Sequence, residues 1–290
     1  MIGKSTDFLK IISLAACVLA FGTIASGQSG QSQPPPPAQN KDQKPATSGS
    51  SLDVGSAQTP ANAEEDAAMK AYQAMPTSDL PKKIAAGEDF LKKYPESRYR
   101  PVLYSSLVFA YISSGNAQRA QEIGDKELAL KPDDVQTMAI LSQTITRSIN
   151  STTPEPAKQI AKAEEYAKRA IEVTPTIAKP DGMSDENFLV AKNQTLAMAH
   201  GGLGLAYFRV GKVDAAIPEL EQSVKVDPSP TPDAVNLYLL GMANQKASHF
   251  DAAATAYNKC ASIQSTVQDK CKAGVEESKK QSSSQLSAPK

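Results

Sequence analysis

Apolar residues recur along most of this chain at intervals of three and four, which is the spacing of one buried face of an α-helix. The clearest runs are Leu103, Leu107, Ala110 and Tyr111, and Leu203, Ala206, Tyr207 and Val210. No segment shows the sustained apolar–polar alternation that is typical of a β-strand. The runs stop at helix-breaking residues, namely Gly115, Gly211, Pro132, Pro175 and Pro228. The pattern predicts an all-α protein, with Asp214 and Asp251 as N-caps of two of its helices.

One template recurs four times along the periodic region. Measured from Leu203, it places Gly204, Tyr207, Gly211, Ala216, Leu220 and Pro228 at offsets of 1, 4, 8, 13, 17 and 25. Residues of matching type follow Leu107 and Leu240, and also Leu141 after an insertion. Self-similarity of this kind indicates stacked structural repeats, each of which needs its neighbours to bury its apolar face.

At these positions the chain resembles the tetratricopeptide repeat family, whose motif of about 34 residues is a pair of packed helices. The resemblance covers residues 62–280 and is strongest over 197–230. Gly124 and Glu127 depart from it, since the family has an aromatic residue and an alanine at those positions. The resemblance implies a right-handed α-solenoid of about five helix pairs over residues 63–280, closed by a C-terminal capping helix.

Two interruptions divide the repeats, at residues 150–156 inside the third pair and at residues 176–183 after it. The second is followed by a helical pattern much longer than a standard first helix of the family. We expect local irregularity in that long helix.

The two ends of the chain differ in composition from the repeats. Residues 1–27 are interpreted as a signal peptide, because Lys4 and Lys10 flank a short polar lead and the apolar run that follows ends in small residues and is too short to span a membrane. Residues 28–62 are rich in Pro, Gln and Ser and predict a disordered linker, and residues 281–290 predict a disordered tail. An alternative interpretation takes residues 14–17 as a lipidation motif with the lipid on Cys17.

Charge and composition narrow the function classes. Lys+Arg and Asp+Glu number 31 each, so no basic surface favours a nucleic-acid partner. The two histidines, His200 and His249, have no metal ligands at a suitable spacing, and no set of base, nucleophile and orienting acid is present. The sequence predicts no catalytic residues, no cofactor and no metal.

The glycines near residue 204 do not form a phosphate-binding loop. Six residues separate Gly204 from Gly211, and Val213 occupies the place where such a loop needs a hydroxyl. Gly204 is instead interpreted as the point where the two helices of one pair cross, and Gly211 as the end of the first helix.

Cys260 and Cys271 remain after removal of a signal peptide. If the helices on either side of residues 265–266 form a hairpin, the two cysteines lie equally far from its turn and face each other. This arrangement favours a disulfide in an exported protein, with two buried free thiols as the alternative.

The family resemblance implies a concave groove lined by the first helix of each pair. Carried onto this sequence, its lining is Ser105, Phe109, Ile112, Ala139, Gln143, Thr146, Leu205, Phe208, Arg209, Tyr238, Met242 and Gln245. The Phe, Leu, Tyr and Met residues favour an apolar or amphipathic protein segment as ligand. The alternative is that a neighbouring turn, the long helix at 186–210 or the linker covers these residues.

These features predict a non-catalytic scaffold for protein partners. The protein is expected to be exported, and to be either periplasmic or secreted, with outer-membrane association as a further option. The alternative is a lipoprotein that coordinates assembly of the outer membrane or cell envelope, attached to the membrane through Cys17.

Overall fold

The computed structural model describes residues 62–287, and that range forms eleven α-helices and no strand. They are α1 (Ala63–Gln73), α2 (Leu80–Lys93), α3 (Arg100–Ser113), α4 (Ala117–Leu130), α5 (Val135–Ser148), α6 (Pro156–Val173), α7 (Asp185–Arg209), α8 (Val213–Val226), α9 (Ala234–Lys246), α10 (Phe250–Ala261) and α11 (Gln268–Leu286). The signal peptide, the Cys17 lipidation motif and the linker up to residue 61 lie outside the described residues.

Neighbouring helices pack along the whole described range. The pairs are α1–α2, α3–α4, α5–α6, α7–α8 and α9–α10, and α11 packs on α10 and α9. The first helices α3, α5, α7 and α9 also contact one another in sequence. The prediction of a helical solenoid with five pairs and a C-terminal capping helix is therefore confirmed.

Most helix ends follow from the sequence. Gly115 and Gly211 have φ of 78° and 79° just after α3 and α7, a conformation that glycine adopts without strain. The interpretation of Asp214 and Asp251 as N-caps is wrong, because the N-caps of α8 and α10 are Lys212 and His249, two residues earlier. Both aspartates lie in the first helical turn, where their charge still stabilises the positive end of the helix.

The core lies between the paired helices, and small residues let those helices approach. A Cβ atom added at Gly204 would lie 2.7 Å from Leu220 Cγ, and Leu220 itself is fully buried. Gly204 therefore marks the crossing of α7 and α8, as the repeat pattern predicts. Ala163, Ala167, Ala216 and Ala253 are likewise fully buried.

The long first helix, α7, has 25 residues and is continuous from Asp185 to Arg209. The expectation of irregularity in it is wrong. Ser184 caps its start by accepting a hydrogen bond from the Asn187 amide at 3.2 Å, and no proline interrupts its backbone ladder.

The last helix, α11, extends beyond the predicted end of the repeat region. It includes residues 281–286, which the composition assigned to a loose tail. Two hydrogen bonds hold this part against the last pair, from the Gln245 amide to Gln281 Oε1 at 2.9 Å and from Ser282 Oγ to Asp251 Oδ1 at 2.9 Å. Within residues 62–287, no helix is both long and apolar enough to cross a membrane.

Candidate partner-binding groove

A cavity of about 900 Å³ lies among the C-terminal parts of α3, α5 and α7 and along α9. The connection between α5 and α6, the start of α6 and the region around the start of α11 complete its walls. Its large apolar lining residues are Ile112, Ile149, Ile160, Leu205, Phe208, Val210, Val235, Tyr238, Leu239, Met242 and Val267. We refer to this cavity as the groove.

Half of the sequence-predicted groove residues line it. Each of them belongs to α3, α7 or α9, and they are Ile112, Leu205, Phe208, Arg209, Tyr238 and Met242. Phe208, Tyr238 and Met242 are half-buried, so each presents part of its apolar surface to the groove.

The other predicted residues lie outside the lining, and they are Ser105, Phe109, Ala139, Gln143, Thr146 and Gln245. Ala139 and Thr146 are 0% exposed, so their assignment to an open groove is wrong. The cause is the close approach of α7 to α5 at Gly202, whose missing side chain lets the two backbones meet. The alternative that the long helix covers part of the inner face therefore holds for α5.

Three of these outlying residues have contacts within the protein instead. Ser105 is hydrogen-bonded to the buried carboxylate of Glu127. Phe109 packs against a buried apolar cluster that includes Leu103 and Leu107. Gln245 Oε1 accepts a hydrogen bond from the Tyr257 hydroxyl at 3.0 Å in addition to the Gln281 contact. These three residues are half-buried and make these contacts outside the groove lining.

The groove also contains residues that the repeat pattern did not select. Ile149 and neighbouring residues come from the interruption between α5 and α6, while Val267 and Lys270 come from the capping region. Thr144 and Arg147 lie on α5 beside the predicted positions. The interruption at residues 150–156 was the sequence feature that could have predicted the contribution of Ile149 and its neighbours, because an insertion within a repeat indicates a loop added to one face.

An ion pair at the groove wall joins two helix pairs. Arg147 donates to Asp233 Oδ2 at 2.6 Å and to Asn236 Oδ1 at 2.8 Å. Burial alone would raise the pKa of Asp233, but the Arg147 guanidinium and two backbone amides hold it below its usual range. The pair ties α5 to the start of α9 and therefore fixes the two sides of the groove relative to each other.

A disulfide joins Cys260 of α10 to Cys271 of α11, with Cα atoms 5.8 Å apart. Both cysteines are fully buried, in a cluster that includes Val267 and Leu237. Val267 lies one turn before Cys271 and belongs to the groove lining. The crosslink therefore positions the groove wall that the capping region supplies.

We expect the double variant Cys260→Ser/Cys271→Ser to lose about 2.5 kcal/mol of unfolding free energy, because a short loop in the unfolded chain is no longer closed. Urea titration under oxidising conditions measures this loss. Wild type treated with dithiothreitol should shift to the same midpoint as the variant. Equal midpoints for the oxidised wild type and the variant, or two freely alkylated thiols in the oxidised protein, would contradict the assignment.

The histidines do not form a metal site among residues 62–287, where no group of three metal-ligating side chains converges. His200 Nδ1 lies 2.6 Å from Glu219 Oε2, between α7 and α8. His249 is exposed in the turn before α10. Both positions fit structural roles at the junctions of helices.

Comparison with known proteins identifies one repeat directly. A sequence profile of the tetratricopeptide repeat matches residues 199–230, which span the end of α7 and all of α8. No curated protein matches this chain's sequence at a significant level.

Solved structures with a similar arrangement are distant in sequence. MamA from Desulfovibrio magneticus RS-1 is 16% identical, with 69% of this chain and 94% of that chain covered and a TM-score of 0.49. A thermophilic TPR protein from Thermus thermophilus is 17% identical, covering 74% and 98%, with a TM-score of 0.47. PilW, described as a type IV pilus biogenesis factor, is 14% identical, covering 77% and 93%, with a TM-score of 0.49. At these values the likenesses carry no information about partners.

Proposed function

We propose that this chain, which contains a tetratricopeptide repeat at residues 199–230, is a non-catalytic scaffold of the bacterial cell envelope. It binds segments of partner proteins in the groove. The observation that carries the proposal is the apolar cavity of about 900 Å³ framed by the first helices of successive pairs. A cavity of this size, lined mainly by apolar groups with a few polar ones, is typical of a binding site.

The groove residues suit the side chains of a bound segment. Phe208 and Tyr238 present aromatic surface, and Met242 adds a flexible thioether that adapts to differently shaped side chains. Lys246 lies over the Phe208 ring, 5.5 Å from its centroid, which is a favourable cation–π distance. A partner segment with apolar side chains at helical or extended spacing would bury them here.

The envelope setting rests on the amino-terminal sequence. Export through the signal peptide at residues 1–27 would release a chain whose linker, residues 28–62, sets the reach of the scaffold. The second candidate is a lipoprotein that coordinates envelope assembly, and residues 14–17 favour it. Metabolic labelling with a radioactive fatty acid distinguishes the two, because only the lipoprotein incorporates label and loses it in a Cys17→Ser variant.

The groove is tested by crosslinking and pull-down in the native envelope with the variant Phe208→Glu. A buried charge in the groove should reduce partner recovery about thirtyfold, as expected for the loss of about 2 kcal/mol at a central contact. Leu189→Glu is the matched control, because Leu189 is 59% exposed and lies outside the groove.

The milder variant Phe208→Ala separates lost binding from lost folding. It should bind less tightly while its circular dichroism melting curve stays cooperative. Unchanged partners for both Phe208 variants would refute binding in the groove.

A further inference from the structure

The charged side chains that line the groove are all basic. They are Arg147, Arg209 and Lys270, and the lining contains no aspartate or glutamate among the described residues. This bias is local, because acidic and basic residues are equally numerous in the whole chain. The charged side chains of the groove lining are therefore of one sign, unlike those of the chain as a whole.

The charge of Arg147 is already compensated. Its guanidinium pairs with Asp233 and is only 18% exposed. Arg147 therefore helps to position the groove wall, but it adds little net electrostatic attraction for an anionic ligand.

Arg209 is in a different situation at the end of α7. It is exposed, and its guanidinium donates one hydrogen bond, to the carbonyl oxygen of Ile149 at 3.1 Å. Within the described part of the chain it forms no ion pair with a carboxylate. A guanidinium has five N–H donors, so most of its hydrogen-bonding capacity faces the groove mouth or solvent.

The environment of Arg209 also differs from that of a paired arginine. Partial desolvation lowers the pKa of Arg209, whereas carboxylate partners raise the pKa of Arg119 at the junction of α2 and α4. Arg209 shares the groove lining with apolar residues, among them Phe208 and Val210, and Val210 is 47% exposed. A partly desolvated cation beside apolar surface complements an anion that is attached to apolar groups.

We propose that the groove selects protein segments in which an aspartate or glutamate lies next to apolar anchors, with Arg209 binding the carboxylate. The apolar anchors occupy the surface formed by Phe208, Tyr238 and Met242. This inference rests on the proposed function and assigns a chemical class to its partner. Basic segments are disfavoured, because they would place like charge beside an uncompensated guanidinium.

Selection from random peptides tests this preference even though the natural partner is unidentified. Phage displaying random dodecapeptides are panned on the immobilised full chain, and clones that also bind Phe208→Glu are removed. Clones that depend on the groove should be enriched in Asp or Glu beside Leu, Ile, Phe or Met. When the same library is panned on the Arg209→Glu variant, the selected peptides should be enriched in Lys or Arg instead of Asp or Glu.

The best acidic peptide is then synthesised with a fluorophore, and its Kd is measured by anisotropy. Arg209→Gln should weaken binding about tenfold at low salt, and the difference should shrink in 0.5 M NaCl because salt screens an exposed pair. Lys225→Gln is the matched control, since Lys225 is an exposed cation on α8 outside the groove. A structural effect of Arg209→Gln would persist at high salt.

The outcomes separate this inference from the proposed function. Groove-dependent clones without acidic enrichment, or with enrichment unaffected by Arg209→Glu, overturn the inference and leave the scaffold function intact. Failure to recover any groove-dependent clone counts against both. Binding of sodium dodecanoate, lost in Phe208→Glu, in the absence of any peptide binding would identify a lipid site and overturn both.

Discussion

Replacing Gly202 by leucine is expected to lower the free energy of unfolding by about 4 kcal/mol, the largest effect of any single substitution considered for this protein. Gly202 lies where α7 crosses α5. A Cβ atom there would come within 3.0 Å of the Gln143 backbone nitrogen and closer still to Ser142 Oγ. Backbone atoms cannot rotate aside, so the two helices would have to separate.

The alanine variant at the same position shows which effect dominates. Alanine has a higher helix propensity than glycine, and this difference alone would stabilise the variant by about 1 kcal/mol. The clash with the α5 backbone costs more than this gain, and we expect Gly202→Ala to be destabilised by about 2 kcal/mol. The double variant Ser142→Ala/Gly202→Ala should recover part of the loss, because it removes the Oγ clash and leaves the backbone clash.

Urea titration followed by circular dichroism measures both Gly202 variants. Asn187→Leu is the control, since it adds the same side chain to an exposed position of α7. If Gly202→Leu and Asn187→Leu unfold at the same urea concentration, the close approach of α5 and α7 is wrong. The explanation given above for the burial of Ala139 and Thr146, which depends on that close approach, would then also be wrong.

The second large effect concerns the buried carboxyl group of Glu127. Glu127 is 0% exposed, and burial raises its pKa to about 7 despite hydrogen bonds from Ser105 and Thr137. The negative charge of Asp134 adds to the rise, and the positive charge of Lys131 opposes it. The Thr137 hydroxyl lies 2.9 Å from Glu127 Oε2.

The hydrogen-bond geometry also favours the protonated form. Ser105 Oγ contacts both Glu127 Oε1 and the carbonyl oxygen of Pro101, the latter at 3.0 Å. A serine hydroxyl has one hydrogen, so it cannot donate to both acceptors at once. When Glu127 carries a proton it donates to Ser105 Oγ, and Ser105 donates to Pro101, which satisfies all three groups.

The pKa of about 7 in the folded chain lies above the ordinary value of 4.5. The folded state therefore binds this proton more tightly than the unfolded state. Its contribution to stability is complete below about pH 4.5 and is lost as the pH rises through 7. The loss reaches about 3 kcal/mol, because each unit of pKa difference corresponds to about 1.4 kcal/mol.

The variant Glu127→Gln should remove this pH dependence, since its amide stays neutral and still donates to Ser105 and accepts from Thr137. At pH 8.5 it should be more stable than wild type by up to about 3 kcal/mol, and at pH 4 the two should be similar. The measurement is urea unfolding of both proteins from pH 4 to 9. A wild-type minus variant difference that does not change with pH would show that the pKa of Glu127 is the same in the folded and unfolded states, so that burial does not raise it. Glu172→Gln, on the exposed surface of α6, is the control.

Local patterns were sufficient to predict the helix pairs. The spacing of Leu203 and Tyr207 and the stop at Gly211 depend on residues close in sequence, and α7 and α8 lie where these signals predict them. The N-cap assignments of Asp214 and Asp251 were wrong, because an acidic residue is favourable both as a cap and in the first turn.

The groove was predicted only in part. Phe208 and Tyr238 follow from the repeat register, but Arg147, Ile149 and Lys270 depend on how an insertion and the capping helix fold back across the inner face. The hydrogen bonds that Arg147 and Ile149 form join residues 60 to 89 positions apart, a separation that no periodic pattern specifies.

The sequence by itself determined the all-α repeat architecture of residues 63–280, because helical periodicity and chain breaks act locally and recur with the repeat. Only the tertiary structure decided which inner-face residues are open. Gly202 brings α7 onto α5 and buries Ala139 and Thr146, while Phe208 and Arg209 border an open groove. The physical reason is that burial and charge compensation depend on the distance between helices, and that distance is set by packing across the whole array.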